Sequence, residues 1–434
     1  MLPFGINVTG YVSSNVSLGI TARHFIKLFL DHGIPVAIRD LDYGRSEKGR
    51  DFQYRDLMIK PGEDPPYSVN MFFLALWQIP RLALELSREF LRDDRFNTAL
   101  LWYEVPWLAP IYREALSLFD VILCGSSFVK SIFDTYVRST FTFPCRHPIY
   151  FPEGISSARD QFHLPEGKCI FISSFDPHSD PERKNPMAVI DAFQTAFVDG
   201  RRNVHLVVKL NNADVSTGGM EPDQVVGELE RRCGRDPRID ILAMSLDYRE
   251  VLSLYAACDV FVSLHRSEGL GMAPLECMLL GKPVIATAWS GNMSYMTHRN
   301  TCLVSYELIP YSGMGADGSR GLRKRAMWAD PSVAEAAEWM RLLAENEVLR
   351  GEIGRKALKD AQAYDEEAKR GEFLRELEQI LRERHWLKSR LRDKRACIDR
   401  VKTLVQREDF RGWKGFKRRV RREMDKHLLW RFRH

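Results

Sequence analysis

The feature that most constrains the fold is one segment, residues 260–291, with the sequence VFVSLHRSEGLGMAPLECMLLGKPVIATAWSG. It opens in a stretch, residues 259–263, that is rich in β-branched and aromatic residues, as is typical of a buried strand. A loop with two glycines follows at residues 267–271, and Pro274 lies where the first turn of a helix accepts a proline. A second apolar stretch occupies residues 283–288. This order of strand, glycine loop, helix and strand predicts a βαβ unit of a parallel sheet.

Two glutamates in this segment indicate what it binds. Ligands of open α/β sheets bind beyond the carboxyl ends of the strands, where Glu268 lies, and Glu276 follows in the predicted helix. The glycines let backbone N–H groups approach a ligand, and a helix N-terminus favours an anion. Because carboxylates beside this positive end can accept hydrogen bonds from hydroxyls, the pattern favours a sugar nucleotide. The alternative is that Glu268 caps the helix and Glu276 is a solvated helix residue.

The wording of the segment adds to this. The residues SEGLGMAPLECMLLGKPVIAT resemble the donor-site signature of the family-4 retaining glycosyltransferases, which have the GT-B fold. Leu270 stands where the signature has Phe, and Cys277 where it often has Ala. The resemblance implies that Glu268 holds donor-sugar hydroxyls and Glu276 the ribose. The backbone groups expected to face the diphosphate are those of Gly269, Leu270, Gly271 and Met272.

Length and composition are those of a multidomain globular protein. The 434 residues suffice for two or three domains, with 45% hydrophobic and 28% charged residues. The N-terminus lacks the pattern of a signal peptide, and no apolar run reaches the ~18 residues that span a bilayer. The eight cysteines include no Cys-x-x-Cys pair. We therefore expect reduced core thiols, no zinc site and a cytoplasmic location.

The positive charge is concentrated at the C-terminus. Residues 382–434 hold 20 Lys+Arg and 7 Asp+Glu, a balance of +13, whereas the rest of the chain has a balance of −8. Aromatic residues are interleaved with these basic ones. Such a segment suits an anionic membrane surface, nucleic acid or an acidic partner. For a chain that handles lipid-linked or surface glycans we rank the membrane first, at the inner face of the cell membrane, and expect no nucleic acid partner.

The N-terminal half has the pattern of a doubly wound domain. An apolar strand at residues 4–9, a glycine-containing loop, a helix at 20–32 and a strand at 36–39 predict an opening βαβ unit. The resemblance places the first loop at an interdomain cleft and gives Gly19 a role in donor binding. Arg23 partly matches the same family wording and is otherwise a solvated helix residue.

The N-terminal half contains two further candidate motifs. Trp102-Tyr103-Glu104-Val105-Pro106 follows a predicted strand and resembles a Trp-Glu-x-Pro-like segment of some family members. Glu104 could contact the donor sugar or the acceptor hydroxyl, or the segment is a strand-terminating turn. Asp40-Leu41-Asp42 has the spacing of an Asp-x-Asp metal motif. A solvated turn explains it as well, so we predict no metal.

The C-terminal half carries the remaining donor contacts. In the family, a loop here supplies an Arg and a Lys to the donor diphosphate. The resemblance assigns the Lys to Lys184, while the Arg corresponds to about Ser174. Lys209, at the end of a predicted strand, is a candidate replacement or else a solvated lysine. The loop at residues 243–245, with Ser245, lies where the family reads the nucleobase.

The patterns predict an α/β chain of doubly wound units, and the resemblance implies the GT-B type, with two Rossmann-like doubly wound domains facing across a cleft. The predicted boundaries are 1–160 for the acceptor-side domain, 161–380 for the donor domain and 381–434 for a basic helical tail. The predicted helix near residue 333 would be capped by Asp330.

The resemblance, which covers about residues 1–380, implies a retaining, metal-independent hexosyltransferase with no cofactor. It would transfer a hexose, for which mannose is one candidate, from a GDP- or UDP-sugar to a glycan or lipid-linked acceptor of a bacterial surface polysaccharide or lipopolysaccharide. The expected catalytic residues are Glu268, Lys184 and Glu104. The alternatives are a sugar-nucleotide epimerase or phosphorylase of the same fold, and a non-catalytic glycan-binding or membrane-adaptor protein.

Overall fold

The computed structural model describes residues 2–41, 51–60, 62–137, 140–213, 222–313, 326–382 and 385–406. These residues form two compact units. The first takes the described residues up to Tyr150 and those from Asp365 onward, and the second takes those from Phe151 to Tyr364. The expected boundary after residue 160 thus falls ten residues inside the second unit.

The first unit is built on a six-stranded parallel sheet in the order β2-β1-β3-β4-β5-β6. Its strands are β1 Ile6–Gly10, β2 Val36–Asp40, β3 Val69–Phe73, β4 Phe96–Leu101, β5 Val121–Cys124 and β6 Phe141–Pro144. The helices between them are α1 Ser17–Asp31, α2 Ile79–Glu85, α3 Ser87–Phe90, α4 Pro110–Leu116 and α5 Ser127–Tyr136. Strands β1, β3, β4 and β5 are buried at every residue, as expected for a parallel sheet that is covered on both faces.

Three asparagines inside this sheet form hydrogen bonds with one another. Asn7, Asn70 and Asn97 lie in register on β1, β3 and β4. The Asn7 side-chain amide donates to Asn70 Oδ1 at 2.9 Å, and the Asn70 amide donates to Asn97 Oδ1 at 3.0 Å. The ladder gives the buried Asn7 and Asn70 amides an acceptor each, whereas the Asn97 amide nitrogen has no hydrogen-bond partner among the described residues.

The second unit has its own six-stranded parallel sheet, in the order β12-β11-β10-β7-β8-β9. Its strands are β7 Cys169–Phe175, β8 Val204–Leu210, β9 Ile239–Ala243, β10 Val260–Ser263, β11 Val284–Thr287 and β12 Cys302–Val304. Its helices are α6 Pro181–Lys184, α7 Pro186–Ala196, α8 Pro222–Cys233, α9 Tyr248–Ala257, α10 Met272–Leu279, α11 Val333–Glu345 and α12 Glu347–Lys369. An antiparallel pair, β13 Tyr306–Pro310 and β14 Met327–Pro331, completes the unit.

The strand order of this second sheet fixes where a ligand can bind. From β7 the chain proceeds to β8 and β9 on one side, whereas β10, β11 and β12 extend on the other side. The order therefore reverses between β7 and β10. In open α/β sheets this reversal leaves a crevice beyond the carboxyl ends of the two central strands. The loops that lead into α6 and α10 both start there.

Two helices at the C-terminal end of the described chain, α13 Glu372–Arg382 and α14 His385–Gln406, belong to the first unit. Cys397, Ile398 and Val401 of α14 are buried in one of its cores. Lys394 and Arg390 form ion pairs with the fully buried Asp120, at 2.7 and 3.0 Å. Part of the basic segment is therefore used to attach α14 to the first unit. Residues 407–434 of the expected tail lie outside the described residues.

Other expectations can be compared with the structure. Asp330 is not a helix cap: Ser332 caps α11 by accepting a hydrogen bond from the Glu335 amide at 3.2 Å, and Asp330 pairs with Arg266 at 3.0 Å. All eight cysteines are buried free thiols. Among the described residues, no helix is both long and apolar enough to cross a bilayer.

Candidate functional site

The glycine loop between β10 and α10 forms the centre of the candidate site. Helix α10 begins at Met272, two residues before Pro274, because Gly271 precedes it in the left-handed conformation with φ of 82°. Pro274 still fits, since the first N–H groups of a helix have no partner within the helix. The Tyr295 hydroxyl donates to the Gly271 carbonyl, and a β-carbon at Gly271 would lie 3.0 Å from that hydroxyl. Position 271 therefore requires glycine for its conformation and offers little space.

The turn after β11 holds this loop in place. The Ser290 hydroxyl accepts from the Glu268 amide at 2.8 Å, and the Gly291 amide donates to the Glu268 carbonyl at 2.9 Å. A β-carbon at Gly291 would lie 2.0 Å from the Gly269 carbonyl oxygen. Buried His265 lies beneath the turn, with Nε2 3.2 Å from the Trp289 carbonyl.

The Glu268 side chain is held by two cations from α6. Its Oε1 accepts from Lys184 Nζ, and its Oε2 lies 3.2 Å from Arg183 Nη1. Arg183 also donates to the Ser267 carbonyl at 2.8 Å and to the Ser179 hydroxyl at 2.8 Å. The structure thus brings the predicted residues Lys184 and Glu268 together. It adds Arg183, which the sequence reasoning passed over because its neighbour carried the family match.

The electrostatics of this cluster favour an anion. Burial alone would raise the pKa of Glu268, but Lys184 and Arg183 outweigh it and lower the pKa to about 2. Glu268 is therefore ionised, and the two cations with one carboxylate leave a net charge of +1. The Lys184 side chain is 22% exposed and that of Arg183 only 7%, so Lys184 is the cation that a ligand can reach.

Glu276 has a different environment. It is 3% exposed, and its Oε1 accepts from the Tyr248 hydroxyl at 2.8 Å. Burial raises its pKa to about 8, against the opposing effect of the Tyr248 hydrogen bond. The alternatives weighed for the two glutamates are thus wrong: Glu276 is not a solvated helix residue, and α10 has no side-chain cap from Glu268.

Lys209 is fully buried at the carboxyl end of β8. Its ammonium donates to the Leu210 carbonyl at 2.7 Å and to the Met244 carbonyl. Lys209 is therefore not a solvated lysine. It is attached to the backbone of the loop that contains Ser245, whose side chain is exposed.

The predicted residues of the first unit have the following positions. Gly19 lies in α1, and a β-carbon there would be 2.1 Å from the Ser14 carbonyl oxygen, so the packing of the first loop by itself requires glycine. Arg23 is 6% exposed and donates to the carbonyls of Val12 at 2.7 Å and Ser14 at 3.0 Å. It is a buried brace of that loop, so the solvated alternative is wrong. Glu104 follows β4 and is partly exposed.

The Asp-x-Asp spacing has a local explanation in its first residue. Asp40 accepts hydrogen bonds from the Ser13 amide at 3.0 Å and from its hydroxyl at 2.5 Å. Asp42 lies outside the described residues. Within the described part of the chain, no group of three His, Cys, Asp or Glu side chains could hold a metal ion.

A family profile matches part of the second unit. Residues 241–307 match the profile of the family described as glycosyl transferases group 1. The matched residues run from β9 into β13 and include Glu268 and Glu276, whereas Lys184 and Lys209 precede them. No curated protein matches the chain in a sequence comparison.

Solved structures show the fold. HepE of Anabaena, in complex with UDP and glucose, is 15% identical, with a TM-score of 0.58, covering 87% of this chain and 100% of its own. Sucrose-phosphate synthase from Thermosynechococcus elongatus is 16% identical, with a TM-score of 0.60 and the same coverage. A UDP-forming trehalose-phosphate synthase from Burkholderia vietnamiensis is 12% identical, with a TM-score of 0.56, covering 87% of this chain and 97% of its own. The chain has the GT-B fold.

Proposed function

We propose that this protein is a retaining glycosyltransferase that moves a hexose from a nucleotide-diphospho-sugar to a glycan or lipid-linked acceptor. The observation that carries the proposal is the ionised Glu268 held between Lys184 and Arg183 at the switch point of the second sheet. Glu268 lies within the segment, residues 241–307, that matches a glycosyltransferase family profile, and the two cations precede that segment. The cluster combines an anion-attracting charge with a carboxylate that can accept hydroxyl hydrogen bonds.

Lys184 is assigned to the donor diphosphate. An ammonium has three N–H donors, so Lys184 can keep its bond to Glu268 while it donates to phosphate oxygens. We assign the backbone N–H groups of residues 269–272, at the start of α10, to the same diphosphate, because a helix N-terminus carries a partial positive charge. These groups would stabilise the charge that develops on the leaving diphosphate without a metal.

The two glutamates are assigned to hydroxyls of the donor. Glu268 would accept from the transferred sugar and Glu276 from the ribose, while the loop at residues 243–245, with Ser245, lies against the base. By the family resemblance, Gly19 of the first unit is assigned to donor binding, and Glu104 to the donor sugar or the acceptor hydroxyl. The same resemblance implies a front-face reaction, in which the leaving phosphate oxygen helps to deprotonate the acceptor hydroxyl.

The donor test is a thermal-shift panel of UDP, GDP and ADP and their sugars, with and without chelator. UDP and UDP-glucose come first, because the HepE structure holds UDP and glucose. Stabilisation by one nucleotide that is unaffected by chelator and lost in Lys184→Met supports the proposal. The matched control is Lys356→Met, at an exposed lysine of α12. Stabilisation by none of these ligands, with glycan binding retained, would instead support a non-catalytic glycan-binding or adaptor protein.

The stereochemical test uses the donor that this panel identifies. Proton NMR of the first product formed gives the anomeric configuration of the transferred sugar. An axial anomeric bond in the donor that is still axial in the product supports retention, and a product with the inverted anomeric configuration would refute it.

We propose transfer, with mannose as one candidate sugar, during synthesis of a bacterial surface polysaccharide or lipopolysaccharide, at the cytoplasmic face of the membrane. The basic C-terminal residues would bind the anionic surface. Co-sedimentation with phosphatidylglycerol vesicles but not phosphatidylcholine vesicles is expected for the full chain. Equal binding by a chain ending at residue 406 would show that the last residues are not the anchor.

A further inference from the structure

We propose that Lys209 is a positioning residue for nucleobase recognition: its buried ammonium fixes the backbone of the loop at residues 243–246 against which the base binds. The inference rests on the proposed function, since it concerns the nucleotide half of the same donor site. It gives Lys209 a role different from the direct contact to the diphosphate that the sequence suggested.

Burying the Lys209 ammonium has a cost in hydration free energy. Position 209 is the sixth residue of β8, a strand in which all seven residues are buried. An ammonium at 0% exposure loses its hydration, and an apolar side chain would avoid this cost. Its hydrogen bonds to the Leu210 and Met244 carbonyls compensate for that loss. A charged residue at such a position therefore has to provide something that packing alone does not.

The Lys209 ammonium joins the ends of two strands. Leu210 ends β8, whereas Met244 follows β9, so Lys209 links the carboxyl ends of two neighbouring strands. The adjacent pair of strands is linked in a similar way. The Asn211 amide side chain donates to the Ser174 hydroxyl at 3.0 Å, and the Asn211 backbone amide donates to the Phe175 carbonyl at 2.8 Å. The loops along this edge of the sheet are thus fixed to one another from β7 to β9.

The other end of the loop at residues 243–246 is fixed by the start of α9. Asp247 and Glu250 form a reciprocal capping box at the start of α9, with both bonds at 2.8 Å. Tyr248, next in the chain, donates to Glu276, the residue assigned to the ribose. The loop therefore runs between Lys209 at one end and the Tyr248–Glu276 pair at the other.

The loop exposes short or flexible side chains. The side chains of Ala243, Met244 and Ser245 are exposed, with Met244 at 45%. A base lying on this loop meets backbone groups and short or flexible side chains. Discrimination among bases through backbone groups requires that these groups be held in place, and Lys209 holds one of them from below.

The experiment measures dissociation constants of UDP, GDP and ADP and of the corresponding monophosphates by calorimetry. The proteins are the wild type, Lys209→Met and, as matched control, Lys356→Met at an exposed lysine of the same unit. For Lys209→Met we expect the affinities for the best-bound nucleoside diphosphate and for its monophosphate to fall by the same factor. This factor is about tenfold to a hundredfold for lost charged hydrogen bonds. We also expect the preference for one base over the others to shrink.

Two results would overturn the inference. One is a larger loss of affinity for the diphosphate than for its monophosphate with an unchanged base preference, which indicates a direct contact of Lys209 to the diphosphate. The other is wild-type affinity throughout. If Lys209→Met does not fold, the structure of the wild type with its nucleotide decides: Lys209 bonded to the Met244 carbonyl supports the inference, and Lys209 bonded to a phosphate oxygen refutes it. A wild type that binds no nucleotide refutes the proposed function itself, which is a distinct outcome.

Discussion

Glu276→Gln should stabilise the ligand-free second unit above neutral pH. The Gln side chain keeps the volume of Glu and an oxygen that can accept the Tyr248 hydroxyl, but it cannot ionise. Burial raises the pKa of Glu276 from its usual 4.5 to about 8. Between these values the folded state binds a proton that the unfolded state has released. Stability therefore falls as the pH rises through this window, and the full cost is present above about pH 8.

The magnitude follows from the two pKa values. At 1.36 kcal/mol per pKa unit, the cost from Glu276 grows by about 3.5 kcal/mol between about pH 5 and pH 8. For a domain of this size, each kcal/mol shifts Tm by about 2 to 4 °C. The Tm advantage of Glu276→Gln over wild type should therefore widen by about 7 to 14 °C across this range.

The assay is scanning calorimetry of both proteins at several pH values, following the transition of the second unit. The matched control is Glu352→Gln, at an exposed glutamate of α12, which should track the wild type at every pH. Parallel Tm curves for wild type and Glu276→Gln would refute the reasoning, because they would mean that Glu276 ionises in the folded state as easily as in the unfolded state.

Three further predictions concern other contacts. Gly291→Ala should disturb the Glu268 loop, since the new methyl would lie 2.0 Å from a carbonyl oxygen, and the donor affinity measured by calorimetry should fall. The control is Gly227→Ala on α8, where a methyl meets nothing within 4 Å. Equal effects of the two changes would argue against the role of Gly291 in holding the Glu268 loop. Arg183→Gln removes one cation that keeps Glu268 ionised, so the acid limb of the pH–rate profile should move to higher pH; an unmoved limb would contradict the role given to Arg183. Asp120→Asn leaves Lys394 buried without its counter-charge and should cost about 3 to 5 kcal/mol in urea unfolding, with partial recovery in the double variant with Lys394→Met; a loss below about 1 kcal/mol would be inconsistent with a buried pair.

Much of the second unit could be predicted from local sequence. The alternation of apolar strands, glycine loops and helices predicted the βαβ unit around Glu268, and its element bounds agree to within a few residues. Pro274 lies in the first turn of α10, as predicted, and the helix begins at Met272 after the left-handed Gly271. Asp330 was misassigned as a cap because a local pattern could not reveal its ion pair with Arg266.

The sequence by itself determined the βαβ order around Glu268 and at the start of the chain, and with it the parallel sheets, because these depend on short-range periodicity. It also marked Lys184 and Glu268 as candidate site residues. Only the tertiary structure decided what those residues do to one another. Lys184 and Glu268 are 84 residues apart, and Lys394 is 274 residues from Asp120. Whether a charge is solvated, as was considered for Arg23 and Lys209, depends on which distant carbonyls surround it. Burial and long-range contact set the pKa and the partner of a side chain, and neither quantity is encoded in the neighbouring residues alone.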